Sequence, residues 1–246
     1  MFIIINHVII KKRYLPRGDH LLDNLKRIIV VVGHYGSGKT NLSVNLALHL
    51  NAIGKKVVLV DLDTVNPYFR SADFADLMEQ HDIELISPVY ARTNLDIPAL
   101  TGRLDTEINT DKTLIIDVGG DDAGAAALGR YSTSIREAGG CEMLYVVNAY
   151  RYLTRTADEA AQILGEVQRA SRLFVTGVVN NSNLAELTTA EDVAAKDSLA
   201  RDTAAKYKVP LLFTSVEERI ASETNALLPN GTIFPVKIFV KKPWEE

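Results

Sequence analysis

Along the chain, short uninterrupted runs of apolar residues alternate with longer stretches in which apolar positions recur every three or four residues. The continuous runs lie at 27–32, 56–61, 83–86, 112–117, 142–147, 172–179 and 211–215. Runs such as Val57-Val58-Leu59-Val60 and Leu114-Ile115-Ile116 do not alternate with polar residues, as expected of strands covered on both faces. Helical spacing fills 38–52, 70–80, 121–138, 155–170, 188–207 and 217–226, with Asp158-Glu159 placed to suit the positive end of the fourth helix. This alternation predicts βαβ crossovers and an α/β fold built on a doubly wound, mainly parallel sheet, with functional residues at the carboxyl ends of the strands. The tail from Thr232 to Lys242 carries Phe234, Ile238 and Val240 but also Pro235, and predicts a short strand or a wrap. Residues 1–26 form an N-terminal extension in this reading, and 27–246 a single domain.

The first run ends in Gly33-His34-Tyr35-Gly36-Ser37-Gly38-Lys39-Thr40, which fits the pattern Gly-x4-Gly-Lys-Thr and is followed by helically spaced leucines. Strand, glycine loop and helix in that order make a P-loop, in which backbone N–H groups wrap a polyphosphate. Gly33, Tyr35, Gly36, Ser37, Gly38, Lys39, Thr40 and Asn41 are therefore the nucleotide-binding candidates. Lys39 is expected to reach the outer phosphates, the Thr40 hydroxyl to ligate Mg²⁺, and the helix dipole to add positive potential.

Three carboxylates extend the site. Asp61 and Asp63 close the second run and would share a face if the strand persisted; one would hold the shell of Mg²⁺ and the other orient the attacking water. A second reading makes Asp61 the cap of a turn and leaves Asp63 alone in the chemistry. The fourth run ends in Asp117-Val118-Gly119-Gly120, where Asp117 is expected at the Mg²⁺ shell and Gly120 is expected to offer an N–H to the γ-phosphate. Catalytic candidates are Lys39, Asp63 and Asp117; metal candidates are Thr40, Asp61 and Asp117. Asp121 and Asp122 read as helix-start acids, and Arg70, in Asn66-Pro67-Tyr68-Phe69-Arg70, as a further phosphate contact or a solvent-facing charge.

The run ending at Val179 leads into Asn180-Asn181-Ser182-Asn183, without the acid that reads guanine in Asn-Lys-x-Asp. An asparagine amide offers the donor and acceptor that adenine requires, so Asn180 and Asn181 are base candidates and ATP is favoured over GTP. The competing reading is that these asparagines only make turns. Thr214 to Glu217 would form the opposite wall.

A net charge of −4 and a pI near 5.8 argue against a strongly basic surface overall, and nucleic acid is not expected as a partner. A single cysteine, Cys141, allows no intrachain disulfide; a reducing, cytoplasmic setting and a buried thiol follow. The apolar stretch Met1–Ile10 is too short to cross a bilayer, so no integral membrane segment is expected.

Together, Gly33-x4-Gly38-Lys39-Thr40, Asp61-x-Asp63 and Asp117-x-x-Gly120 resemble the MinD/ParA branch of P-loop ATPases, whose nucleotide-binding domain is shared with cobyrinate synthases; the resemblance spans roughly residues 27–220. It implies a P-loop NTPase fold, ATP and Mg²⁺ as ligands, Asp63 positioning water, and Asp117 in a nucleotide-sensitive switch. The branch carries a second lysine that reaches a partner subunit's ATP, and its position here holds His34. An ATP-closed homodimer is thus an arrangement the family uses without that contact being available here. Cluster- and metal-carrying members use paired cysteines, which this chain lacks. The function so implied is an ATPase whose segments 63–73 and 117–130 switch to control a protein client. The alternative is a small-molecule kinase or a carboxylate-activating synthetase like dethiobiotin synthetase, with Arg92, Thr93, Asn94 and Asp96 lining an acceptor pocket. A non-hydrolysing sensor fits less well, because it needs no water-positioning carboxylate.

Overall fold

The computed structural model describes residues 22, 25–63, 74–87, 96–120 and 122–239, with the backbone alone for 96–101 and 122. The expectations for Arg70, for Arg92 to Asn94, for Asp121 and for most of the N-terminal extension lie outside these residues. Eight strands form one sheet: β1 Ile28–Val32, β2 Val57–Asp61, β3 Glu84–Ile86, β4 Thr113–Asp117, β5 Glu142–Val147, β6 Gly177–Asn180, β7 Leu211–Glu217 and β8 Ile233–Val236. Their order is β3-β2-β4-β1-β5-β6-β7-β8, and every described ladder is parallel.

Helices cover both faces: α1 Lys39–Ala52, α2 Ala75–Gln80, α3 Asp96–Ile108, α4 Asp122–Gly129, α5 Ser132–Glu137, α6 Ala157–Ser171, α7 Ala190–Ala194, α8 Asp197–Lys206 and α9 Ala221–Leu227. Because side chains alternate across a strand, each continuous apolar run serves two cores. Ile29, Val31, Leu59, Ile115, Leu144 and Val146 pack on Leu42, Leu46 and Leu50 of α1, and on Met78. Val30, Val58, Val60, Ile116, Met143 and Tyr145 face Leu104, Leu128, Ile135, Ala160 and Leu164 on the other side. Truncating any of these fully buried leucines to alanine removes about 2–5 kcal/mol.

The chain leaves β1 for β2 on one side of the sheet and later crosses from β4, past β1, to β5. That reversal makes the carboxyl end of β1, where the glycine loop begins, a topological switch point, the place where open α/β sheets bind ligands.

Four element boundaries differ from the sequence pattern. The strand read at 172–179 starts only at Gly177, because Arg172 adopts φ 58° at the end of α6 and the Val175 N–H donates to Gln168 Oε1 at 2.8 Å. Leu173 and Val175 are buried from irregular backbone, not from a ladder. Helix α3 went unread because Pro98 and Gly102 interrupt it; Pro98 sits in the first turn, where no intrahelical N–H bond is lost. The helix read at 121–138 breaks into α4 and α5 through the tightened bonds Arg130 N to Ala127 O and Tyr131 N to Leu128 O, 3.2 and 3.0 Å. The one at 188–207 breaks at Lys196, φ −107° and ψ 0°, after a capping box between Thr189 and Asp192 starts α7. The tail is a strand as far as Val236.

Candidate functional site

Residues 33–38 link β1 to α1, and the left-handed backbone at Gly38, φ 88°, turns the chain into the helix. A Cβ on Gly38 would strike the Asn181 amide nitrogen, so this position demands glycine on two counts. Asn181 Nδ2 donates to the Ser37 carbonyl at 2.7 Å, and its Oδ1 accepts from Ser215 Oγ at 2.7 Å. The asparagine expected at the base thus braces the loop from β6 and β7, with donor and acceptor both engaged inside the protein.

Lys39 is 7% exposed and donates from Nζ to the His34 carbonyl at 3.2 Å, curling its ammonium over the loop. Thr40 Oγ1 donates to Asp117 Oδ2 at 2.7 Å, and Ser43 Oγ, one turn on, to Asp117 Oδ1 at 3.3 Å. Burial pushes the Asp117 carboxyl up to about 6 against the pull of the Lys39 charge and the Thr40 hydrogen bond, while the nearby charge of Asp63 also raises it. The Asp63 charge therefore acts on Asp117.

Asp61 is the register partner of Asp117 across β2 and β4. Strand β2 stops there, so Asp61 and Asp63 do not share a strand face; Asp61 Oδ1 instead accepts the Asp63 N–H at 2.8 Å. This is the hydrogen bond that a turn-capping Asp61 makes. Downstream of β4, Gly120 lies against the loop: a Cβ there would stand 2.7 Å from Tyr35 N and 2.9 Å from Lys39 Nζ. The segment expected to sense the γ-phosphate is already in contact with the loop and its lysine.

The Asn41 side chain is engaged within the protein. Its Nδ2 donates to the Lys237 carbonyl at 3.0 Å and its Oδ1 accepts the Phe239 N–H at 2.8 Å, so its side chain holds the C-terminal segment on the outer face of α1. Asn180 is fully buried at the end of β6; its Oδ1 accepts the Ser182 N–H at 3.1 Å, and its Nδ2 has no hydrogen-bond partner among the described residues. Asn183, where a guanine-reading acid would stand, closes a turn instead, donating to the Asn181 carbonyl and accepting the Ala185 N–H. Thr214 and Ser215 are buried on β7, and Ser215 acts through Asn181.

Two residues escaped the sequence reading. Ser43 was signalled by its i+3 spacing from Thr40 on α1. Arg151 stands four residues past the carboxyl end of β5, the strand beside β1, with its guanidinium over Gly36.

The donor set suits Mg²⁺: a hydroxyl and a carboxylate within one hydrogen bond of each other, at the mouth of a loop built for phosphates, are the hard oxygen ligands this ion takes. Among the described residues no helix is long and apolar enough to cross a membrane.

The family model of the CobQ/CobB/MinD/ParA nucleotide binding domain matches residues 28–220, and the chain belongs to this family. No curated protein matches it. Among solved structures it is similar to FtsY from Mycoplasma mycoides, with 19% identity and a TM-score of 0.56 over 80% of this chain and 61% of that one. Cell division protein FtsY from Thermotoga maritima matches with 22% identity and a TM-score of 0.54, over 82% of this chain and 69% of that one. Signal recognition particle receptor FtsY from Elizabethkingia anophelis, in complex with GDP, matches with 19% identity and a TM-score of 0.51, over 80% and 63%. These likenesses establish the fold, and the chain spans about three-fifths of the first of these structures.

Proposed function

We propose that this member of the CobQ/CobB/MinD/ParA nucleotide-binding family is a Mg²⁺-dependent ATPase whose nucleotide state is passed to a protein client. The observation that carries the reading is the 2.7 Å hydrogen bond between Thr40 and Asp117, which joins the phosphate loop to the carboxylate at the end of β4. Bound Mg²⁺ supplies charge neutralisation of the phosphates and ordered water. Lys39 moves from the His34 carbonyl to the outer phosphates, a stronger, charge-assisted partner. Asp63, beyond the strand end, orients the attacking water and accepts its proton as the terminal phosphate leaves ADP. Gly120, packed on Tyr35 and Lys39, responds to the presence of that phosphate, because nothing bulkier than hydrogen fits between the two segments.

ATP is preferred to GTP in this reading because Asn183 presents no carboxylate and its amide is engaged in a turn. The FtsY structure bound to GDP makes GTP the necessary control. A single buried thiol suits a reducing, cytoplasmic compartment. Phosphate release from ATP and from GTP, each with Mg²⁺ and with EDTA, tests the proposal. Mg²⁺-dependent release from ATP is expected, slow without a client. Release from GTP alone would replace the base assignment, and binding of neither nucleotide would remove the function.

A further inference from the structure

The loop after β5 is built with more hydrogen bonds than a solvent connection needs. Asn148, fully buried, accepts the N–H groups of Tyr150 and Asn183 on Oδ1, at 3.1 and 3.3 Å. Its carbonyl accepts from the Arg151 N–H at 3.1 Å and from Thr154 Oγ1 at 2.6 Å. Ser182 Oγ takes the Ala149 N–H at 3.0 Å, and Tyr150 is held at its far end by donation to the Asp192 carbonyl at 2.9 Å. The backbone of Arg151 is thereby fixed from three directions.

Its side chain is the opposite. The guanidinium is exposed and makes no hydrogen bond or ion pair with any described residue. It lies against the loop: Nε is 3.5 Å, and Cδ and Cζ are 3.7 Å, from where a Cβ on Gly36 would stand. A fixed backbone holding an unpaired arginine on a phosphate loop brings a third kind of donor to a place where the loop N–H groups and Lys39 already converge. Opposing carboxylates would contradict an anion site, and none pairs with Arg151. The loop's other titratable group adds little charge, because burial and the Lys39 ammonium both hold the His34 imidazole below its ordinary value and so neutral near pH 7.

We propose that Arg151 binds the phosphates of the nucleotide held by its own chain, as a second cation contributed from the β5 side of the loop. The inference rests on the nucleotide-binding reading above and adds to it a residue that the phosphate-loop motif does not contain. A guanidinium fork suits phosphate oxygens better than an ammonium does.

Calorimetric titration of the full chain with Mg²⁺-ATP and Mg²⁺-ADP, for wild type, Arg151→Ala and Arg151→Lys, tests it. Arg151→Ala is expected to weaken both nucleotides at least tenfold, on the order expected for one charge-assisted pair, with Arg151→Lys recovering part of the loss. The melting temperature of the nucleotide-free protein should stay unchanged, since the guanidinium has no partner to lose. Wild-type binding with Arg151→Ala within twofold of it overturns the inference alone; no binding by wild type removes the functional reading as well. Mixing Arg151→Ala with Lys39→Ala protein separates the same chain from a neighbouring one. Phosphate release at subsaturating Mg²⁺-ATP that rises on mixing above the sum of the two variants measured separately would show an arginine acting between subunits and overturn the assignment, whereas a mixture that gives only that sum supports it.

Discussion

Replacing Asn181 with alanine separates two accounts of one residue. In the structure its amide joins β6, β7 and the phosphate loop through two hydrogen bonds of 2.7 Å, to the Ser37 carbonyl and from Ser215 Oγ. Each such bond contributes about 1 kcal/mol net, and each partner left behind adds desolvation cost where water cannot reach it. Both bonds are partly buried, so the loss is about 2–3 kcal/mol, which in a chain of this size lowers the melting temperature by about 4–12 °C. The freed Ser37 carbonyl also loosens the loop, so affinity for ATP and GTP should fall by similar factors. Asn181→Asp is the sharper variant: its carboxylate can still accept from Ser215 but sets an acceptor against the Ser37 carbonyl. Thermal melting followed by calorimetry with both nucleotides reads all of this. A base-reading Asn181 would give an unchanged melting temperature and a selective loss of ATP affinity, and that outcome would refute the bracing role.

Asp63→Asn should retain ATP affinity within about threefold and lose at least a hundredfold in phosphate release, as expected for a group that touches only the reacting water; unchanged turnover would take Asp63 out of the mechanism. The double variant Asn41→Ala/Asn45→Ala removes the bonds that hold Lys237 and Phe239 on α1, and amide exchange at 237–239 should rise while nucleotide affinity stays within about twofold. Unaltered exchange would show that apolar packing, not these amides, retains the segment. Cys141 is 7% exposed and burial pushes its thiol up to about 11, so the native protein should resist disulfide-exchange reagents at pH 8 and react once unfolded. The sign follows: the buried neutral thiol favours the fold below its ordinary value of 9.0, and that contribution is lost as pH rises through about 11.

Most of the sheet was legible because its information is local. A continuous apolar run bounded by turn residues declares a strand, and Gly33 to Thr40 declares a phosphate loop within eight consecutive residues. The errors have local causes too. Pro98 and Gly102 hid a helix whose remaining pattern, Leu104 and Ile108, buries well, and Leu173 and Val175 imitated a strand although they are buried from irregular backbone. Side-chain partners were less legible. Asn181 and Asn41 carry the right chemistry for a nucleotide and use it on the protein, on Ser37 144 residues away and on Phe239 198 residues away.

From residue order alone come the α/β alternation, the phosphate loop, the carboxylates at strand ends and the family. Strand order supplied the rest: β1 between β4 and β5 sets Thr40 beside Asp117, 77 residues on, and lays Arg151 over Gly36. The reason is physical. Propensity and periodicity act over a few residues, whereas which donor meets which acceptor depends on the order in which parallel strands assemble, and no short stretch of sequence encodes that order.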